Sequence, residues 1–221
     1  MRTVIFDLDG TLADTSKDLI AAANVCFDAM GHGAVLDPVA DARIAFQGGR
    51  AMLTEGLVRI HGTADPDLIE KFFPVLLEAY ADNIDTHTEL YPGAMEAVEV
   101  LRAEGIAVGI CTNKPEALAE TLLRRLGVRA AFGSVIGADT LPVRKPDPAP
   151  FFEAVDRAGG DRSRSVLVGD TVTDRSTATA AGVPAILVTF GPNGEDVRGL
   201  RPDALLAHFD HLPKIVRDLL E

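Results

Sequence analysis

The chain has 221 residues, 47% of them hydrophobic and 24% charged, enough for one full-sized soluble domain plus a smaller one. Its 33 acidic residues outnumber 21 basic ones, and a formal net charge of -12 opposes binding to DNA, RNA or an anionic membrane, so an anionic ligand would need a local cation. The two cysteines, Cys26 and Cys111, are too few for a disulfide framework or a metal cluster, and with no leader-like or membrane-spanning stretch a cytoplasmic, unanchored protein is expected.

The first apolar run, Thr3 to Phe6, predicts a strand, and "VIFDLDGTLAD" delivers Asp7 and Asp9 at its end. Alternate side chains of an extended segment share a face, so both acids can reach one ligand, while Gly10 lets the chain turn away. From Asp14 to His87 the pattern is helical: "DLIAAANVCFDAMG", "PVADARIAF", "RAMLTEGLVRIHG" and "PDLIEKFFPVLLEAYADNI", separated by Gly, Pro and Asp breaks. About 100 residues thus separate the first strand from the second, where a crossover needs only a dozen or so. A small helical domain over residues 14–88 is therefore expected beside a core of residues 1–13 and 89–221, with hinges near Leu12–Thr15 and Thr88–Gly93. Further strands are predicted at Ile106–Cys111, Ser134–Ile136, Ser165–Gly169 and Ala185–Thr189. Between them, "PGAMEAVEVLRAEG" and "PEALAETLLRRLG" read as helices that open with Pro at the first helical position and close at Gly. This alternation predicts a doubly wound α/β domain with a parallel sheet covered on both faces. Beyond Phe190 the chain reads as loop, then a terminal helix from about Pro213 to Leu220.

Ligands of an open α/β sheet bind beyond the carboxyl ends of its strands. Directly after those ends stand "DLDGT", "TNKP" and "GDTVTD", with "RKPDP" ahead of the last. The set suits phosphoryl transfer through a phospho-carboxylate. A carboxylate is ionised at neutral pH and can attack phosphorus directly once its repulsion with the phosphate is cancelled by a lysine and a divalent cation. Mg²⁺ takes oxygen ligands and only one or two carboxylates, for which Asp7 and Asp170 are natural candidates, and a second carboxylate can carry the proton of the leaving group.

Other readings fit less well. A calcium loop with Gly10 at its sixth position would begin at Ile5 and end at Ser16, neither of which supplies the required ligand. A cysteine phosphatase built on Cys111 would need Arg six residues later, where Ala117 stands. His208 and His211 read as a solvated face, Thr112 alone would be an ordinary helix cap, and Lys145 is either a solvated loop lysine or a site residue held by Pro146 and Pro148. In "FQGGRAML" two readings stand: a loop with a helix start, or a loop whose Gly48 and Gly49 amides and Arg50 approach the far end of a substrate.

In this order, "DLDGT", "CTNK", "KPDP" and "GDTVTD" resemble the four motifs of the haloacid dehalogenase superfamily, within it the phosphoglycolate-phosphatase-like phosphatases, and the helical insert lies where that family carries its type-1 cap. The resemblance implies Asp7 as nucleophile and Mg²⁺ ligand, Asp9 as general acid and base with its backbone carbonyl on the metal, and Thr112 with the Asn113 N–H as phosphate-oxygen donors. It implies Lys145 as the neutralising cation, Asp170 as a metal ligand, and Asp174 as a further ligand or an acceptor behind it; Gly10 would adjoin the substrate. One departure is the polar run "RSTAT" after Asp174, where relatives more often carry an aliphatic residue. The implied protein is a Mg²⁺-dependent phosphatase of a small anionic ester, 2-phosphoglycolate first, acting as monomer or homodimer. The alternatives are another sugar or nucleotide monophosphate as substrate, a phosphomutase, or a non-catalytic phosphate-binding regulator. A dehalogenase would lack Asp9, and a phosphonate hydrolase would need a cap lysine placed differently from Lys17 and Lys71.

Overall fold

The computed structural model describes residues 1–191 and 193–221. The chain divides into two compact units, Met1–Ala13 with Leu90–Glu221, and Asp14–Glu89. In chain order it runs through β1 (Thr3–Phe6), β2 (Ala13–Asp14), α1 (Ser16–Ala29), α2 (Ala42–Ala45), α3 (Gly49–His61), α4 (Pro66–Asp82) and β3 (Glu89–Leu90), where β2 and β3 form a separate two-stranded ribbon. It continues through α5 (Ala94–Ala103), β4 (Ala107–Cys111), α6 (Glu116–Arg125), β5 (Ser134–Ile136), α7 (Ala149–Arg157), β6 (Ser165–Gly169), α8 (Val172–Ala181), β7 (Ala185–Val188), β8 (Ala204–Leu206) and α9 (Leu212–Leu220).

The larger unit is the expected doubly wound α/β fold. Six parallel strands lie in the order β5-β4-β1-β6-β7-β8. The central strands β1, β4 and β6 are buried along their whole length, as strands covered on both faces must be, which is why they read as unbroken apolar runs. Ile5, Cys111, Ile136 and Leu167 form one face of the core with Phe151, Ala154 and Val155 of α7 and Ala178 of α8, while α5 and α9 pack on each other and against β4 and β6. The strand order grows outward from β1 through β4 to β5 and resumes on its other side at β6. The topological switch therefore lies between β1 and β6, where open α/β sheets bind ligands.

The smaller unit is helical, with Ile20, Phe27, Leu53, Leu57 and Tyr80 buried. A Cβ on Gly56 would fall 2.0 Å from the Phe27 ring, so glycine there is what lets α1 and α3 approach. No helix among the described residues is long and apolar enough to cross a membrane.

Several expectations need correction. "PVADARIAF" forms only the single turn α2, because Asp37 Oδ1 accepts from the N–H groups of Val39 and Ala40 and holds the preceding backbone as a loop. Pro115 is the cap of α6 rather than its first residue, and α5 begins after Gly93, itself in the left-handed region, rather than at Pro92. The stretch after Phe190 is not all loop: it contains a 3₁₀ segment at Gly194–Leu200 and the edge strand β8. β2 and β3, two residues each, are too short to leave a pattern.

Candidate active site

Asp7 lies one residue beyond β1, its N–H still donating to Val168 O of β6 at 2.8 Å. Its carboxylate is held at both ends: Oδ1 accepts from Leu8 N–H at 2.7 Å, and Oδ2 sits 3.0 Å from Lys145 Nζ. The chain then turns sharply, with Leu8 O accepting from Thr11, Leu12 and Ala13, and Gly10 at φ 78°, a conformation that is strained for any residue with a Cβ.

Lys145 comes from the loop between β5 and α7 and is 3% exposed. Its ammonium bridges two acids, donating to Asp174 Oδ1 at 2.7 Å as well as meeting Asp7. Asp174 stands in the first turn of α8, and its Oδ2 accepts from Thr171 N–H at 3.1 Å, Thr171 Oγ1 at 2.8 Å and Asp170 N–H at 3.3 Å. Gly169 makes room for it, since a Cβ there would fall 2.3 Å from Asp174 Cγ. In the polar run from Arg175 to Thr179 the two threonines are satisfied locally: Thr177 Oγ1 donates to Thr173 O at 2.7 Å and Thr179 Oγ1 to Arg175 O at 2.8 Å, so buried Thr177 needs no aliphatic replacement to pack.

Asp170 directly follows β6 and is 1% exposed. Its Oδ1 accepts from Thr11 Oγ1 at 3.3 Å and its backbone carbonyl from Asn193 Nδ2 at 3.1 Å. Among the described residues, its buried Oδ2 has no hydrogen-bond partner. One carboxylate oxygen from each of Asp7, Asp170 and Asp174 lies within 4.8 Å of the others. Burial, then the neighbouring Asp174 and Asp7, push the Asp170 carboxyl well above the usual range. Burial also raises Asp7 to about 6 against the opposing pull of Lys145. Asp174 goes the other way and is lowered: its burial is outweighed by Lys145 and the Thr171 hydrogen bonds. The same acids raise Lys145 despite its burial, keeping it an ammonium. Three hard oxygen donors with one buried oxygen unpartnered fit a divalent cation such as Mg²⁺.

On the β4 side, Thr112 N–H donates to Ile136 O at 2.9 Å, and Asn113 Nδ2 donates to Lys145 O at 3.1 Å, tying the two loops together. One residue of this loop was missed from the sequence: Lys114, 6% exposed, donates through Nζ to both carboxylate oxygens of Asp9 at 2.7 and 2.9 Å. The signal available was its place two residues after Thr112, inside a motif already singled out. Cys111 is buried, and burial pushes its thiol up to about 12, which removes it as a thiolate nucleophile.

The remaining expected residues lie in the helical unit. Gly48, at φ 95°, caps α3 and Gly49 opens it, which is the helix-start reading. Arg50 donates to both carboxylate oxygens of Glu70 at 2.7 and 2.8 Å and stacks over Phe73 at 3.8 Å, so it already has an anionic and an aromatic partner within its own unit.

Four adjacent strands thus deliver four carboxylates, two lysines and a hydroxyl to one sheet edge. A family model described as haloacid dehalogenase-like hydrolase matches residues 1–182, a span holding every one of these groups. The chain belongs to this family. Among curated relatives of this haloacid dehalogenase-like hydrolase, the phosphoglycolate phosphatase of Mesorhizobium japonicum is 38% identical over 209 residues, covering 95% of this chain and 92% of the relative. That of Rhodospirillum rubrum is 39% identical over 214 residues, covering 95% and 87%. A Haemophilus somnus protein described as a predicted phosphoglycolate phosphatase has a crystal structure that matches with a TM-score of 0.85 at 25% identity, covering 97% of each chain.

Proposed function

We propose that this hydrolase is a Mg²⁺-dependent phosphatase that cleaves a small phosphate monoester through a phospho-aspartate at Asp7, with 2-phosphoglycolate as its substrate, in the cytoplasm. The observation that carries the reading is the Asp7–Lys145–Asp174 bridge beside the unpartnered oxygen of Asp170. A nucleophile, a neutralising ammonium and a cation site converge there, and the curated relatives at 38% and 39% identity supply the reaction class and the ester.

Asp7 and Asp170, with the Asp9 backbone carbonyl, would hold the cation. It would supply charge neutralisation for the nucleophile and for the phosphate oxygens. Asp174 would serve either as a further ligand or as the acceptor behind the site that orients Lys145. In the first half-reaction an Asp7 oxygen forms a bond to phosphorus as the ester P–O bond breaks, and Asp9 gives its proton to the departing oxygen. Thr112 and the Asn113 N–H donate to phosphate oxygens, and Lys145 offsets the negative charge gathered at the transferring group. In the second half-reaction water attacks phosphorus, Asp9 takes its proton, and the Asp7–phosphate bond breaks to release inorganic phosphate.

The helical unit, taken as residues 14–88, is assigned to a cap that excludes water and selects the leaving group. Gly48, Gly49 and Arg50 are assigned to the ester's far end; to serve a substrate carboxylate, the Arg50 guanidinium has to be shared with Glu70.

The test is phosphate release from a panel of sugar, nucleotide and short acid phosphates, with and without Mg²⁺, beside Asp7→Asn and Asp9→Asn. The expected result is the highest kcat/KM on 2-phosphoglycolate, lost on chelation and in both variants. Preference for another ester overturns the substrate, undiminished turnover in Asp7→Asn overturns the covalent route, and no turnover of any ester overturns the phosphatase reading.

A further inference from the structure

We propose that Lys114 is the positioning residue for Asp9, clamping the carboxylate that carries the proton to the leaving oxygen; the inference rests on the phosphatase reading above. A carboxylate's terminal torsion is soft, so an Asp held only by its backbone samples a broad range of orientations. Asp7 is fixed by Leu8 N–H and Lys145, and Lys145 is committed to Asp7 and Asp174. Asp9 has its own lysine. Nζ of Lys114 reaches both Asp9 oxygens, at 2.7 and 2.9 Å, a two-point contact that sets the carboxylate plane as well as its place.

The clamp is itself anchored. Lys114 N–H donates to Thr112 Oγ1 at 3.2 Å, and its carbonyl accepts from Ala138 N–H at 2.9 Å, so the base of the side chain is fixed between the ends of β4 and β5. The side chain is 3% exposed, against 17% for Asp9, so the cation lies inside the fold and the acid faces outward from it. This is the arrangement required of a support that touches the acid and leaves the acid to meet the substrate. It also connects Thr112, assigned to hold the phosphate, with the residue assigned to protonate the leaving group.

The role predicts a leaving-group dependence that neither a structural lysine nor a phosphate-binding one would show. 4-Nitrophenolate departs without a proton, whereas phenolate is helped by one, so the ratio of kcat/KM for 4-nitrophenyl phosphate to that for phenyl phosphate measures proton delivery. kcat/KM includes every step through departure of the leaving group and is unaffected by slow hydrolysis of the phospho-enzyme. In Lys114→Met this ratio should widen by about 10- to 100-fold, the cost of misplacing a catalytic group by about an ångström. Lys114→Arg, which keeps the charge, should widen it less. Inhibition by inorganic phosphate should keep its wild-type constant in both variants. The double variant Asp9→Asn/Lys114→Met should be no worse than Asp9→Asn alone, because Lys114 acts through Asp9.

Equal losses on both esters, weakened phosphate inhibition, or additive losses in the double variant would overturn the proposal. Should Lys114→Met fail to give a cooperative melt, Lys114→Arg carries the same ratio test, and an unchanged ratio there overturns it. If Asp9→Asn itself leaves the ratio unchanged, the acid assignment to Asp9 fails and the positioning proposal falls with it. If Asp9→Asn widens the ratio and Lys114→Met does not, the Lys114 inference fails alone.

Discussion

Asp7→Asn should inactivate the enzyme and stabilise the metal-free protein. Lys145 lies 2.7 Å from Asp174 and 3.0 Å from Asp7, and with burial acting on both acids it lowers Asp174 below its ordinary value while leaving Asp7 raised from 3.8 to about 6. A carboxyl with a higher pKa in the native state binds more protons there than in the unfolded chain. Stability therefore falls as pH rises between the unfolded and the folded value and stays low above it. At about 1.4 kcal/mol per tenfold change in proton affinity, the ionised Asp7 costs the metal-free fold up to about 3 kcal/mol at pH 7.5. Asn removes that cost, keeps an oxygen for Leu8 N–H, and leaves Lys145 paired with Asp174, so no buried charge is orphaned. Allowing for imperfect amide geometry against Lys145, a gain of about 1–3 kcal/mol is expected, or a rise in Tm of about 3–10 °C for a chain of this size. The assay is thermal unfolding in chelator at pH 7.5 and again at pH 5, where wild-type Asp7 has taken up its proton and the gain should shrink. Adding Mg²⁺ should then raise the wild-type Tm by more than that of the variant. A variant as stable as or less stable than wild type in chelator at pH 7.5 would refute the electrostatic account of the site.

Gly169→Ala places a Cβ 2.3 Å from Asp174 Cγ, so it should displace the acid that orients Lys145 and lower kcat with a loss of about 1–3 kcal/mol in stability, measured by steady-state kinetics and denaturant titration. Asp18, 2% exposed, accepts from His87 N–H, Thr88 N–H and Thr88 Oγ1; Asp18→Ala should cost about 2–4 kcal/mol and accelerate amide exchange at residues 87 and 88. In the helical unit Arg59 holds the Asp41 carboxyl below its ordinary value, mainly through their hydrogen bonds, so that pair stabilises above the unfolded pKa and weakens as pH falls through the folded one. Asp41→Asn should flatten the acid limb of the stability profile, and an unchanged limb would show that the pair contributes nothing measurable.

The sequence carried what depends on one strand at a time and lost what depends on partners. β1, β4 and β6 are legible because burial on both faces turns them into continuous apolar runs, and the switch between β1 and β6 then places Asp7 and Asp170 side by side. β8 has three residues, two of them only half-buried, and offers no period to read. The "PVADARIAF" segment has helical apolar spacing, but Asp37 and Asp41 bind local backbone N–H groups, and that competition is invisible to periodicity. The same limit explains Lys114. A lysine is ordinarily solvated, and the acid that draws this one inside lies 105 positions earlier in the chain. Spacing could show that "DLDGT" holds two acids and that "CTNK" and "RKPDP" hold a lysine each, but not how they pair. The pairing gives Asp7 a cation shared with Asp174 and Asp9 a cation reaching both its oxygens. Two acids one residue apart thereby acquire different cation partners from different loops, a distinction that exists only once the strands are assembled side by side.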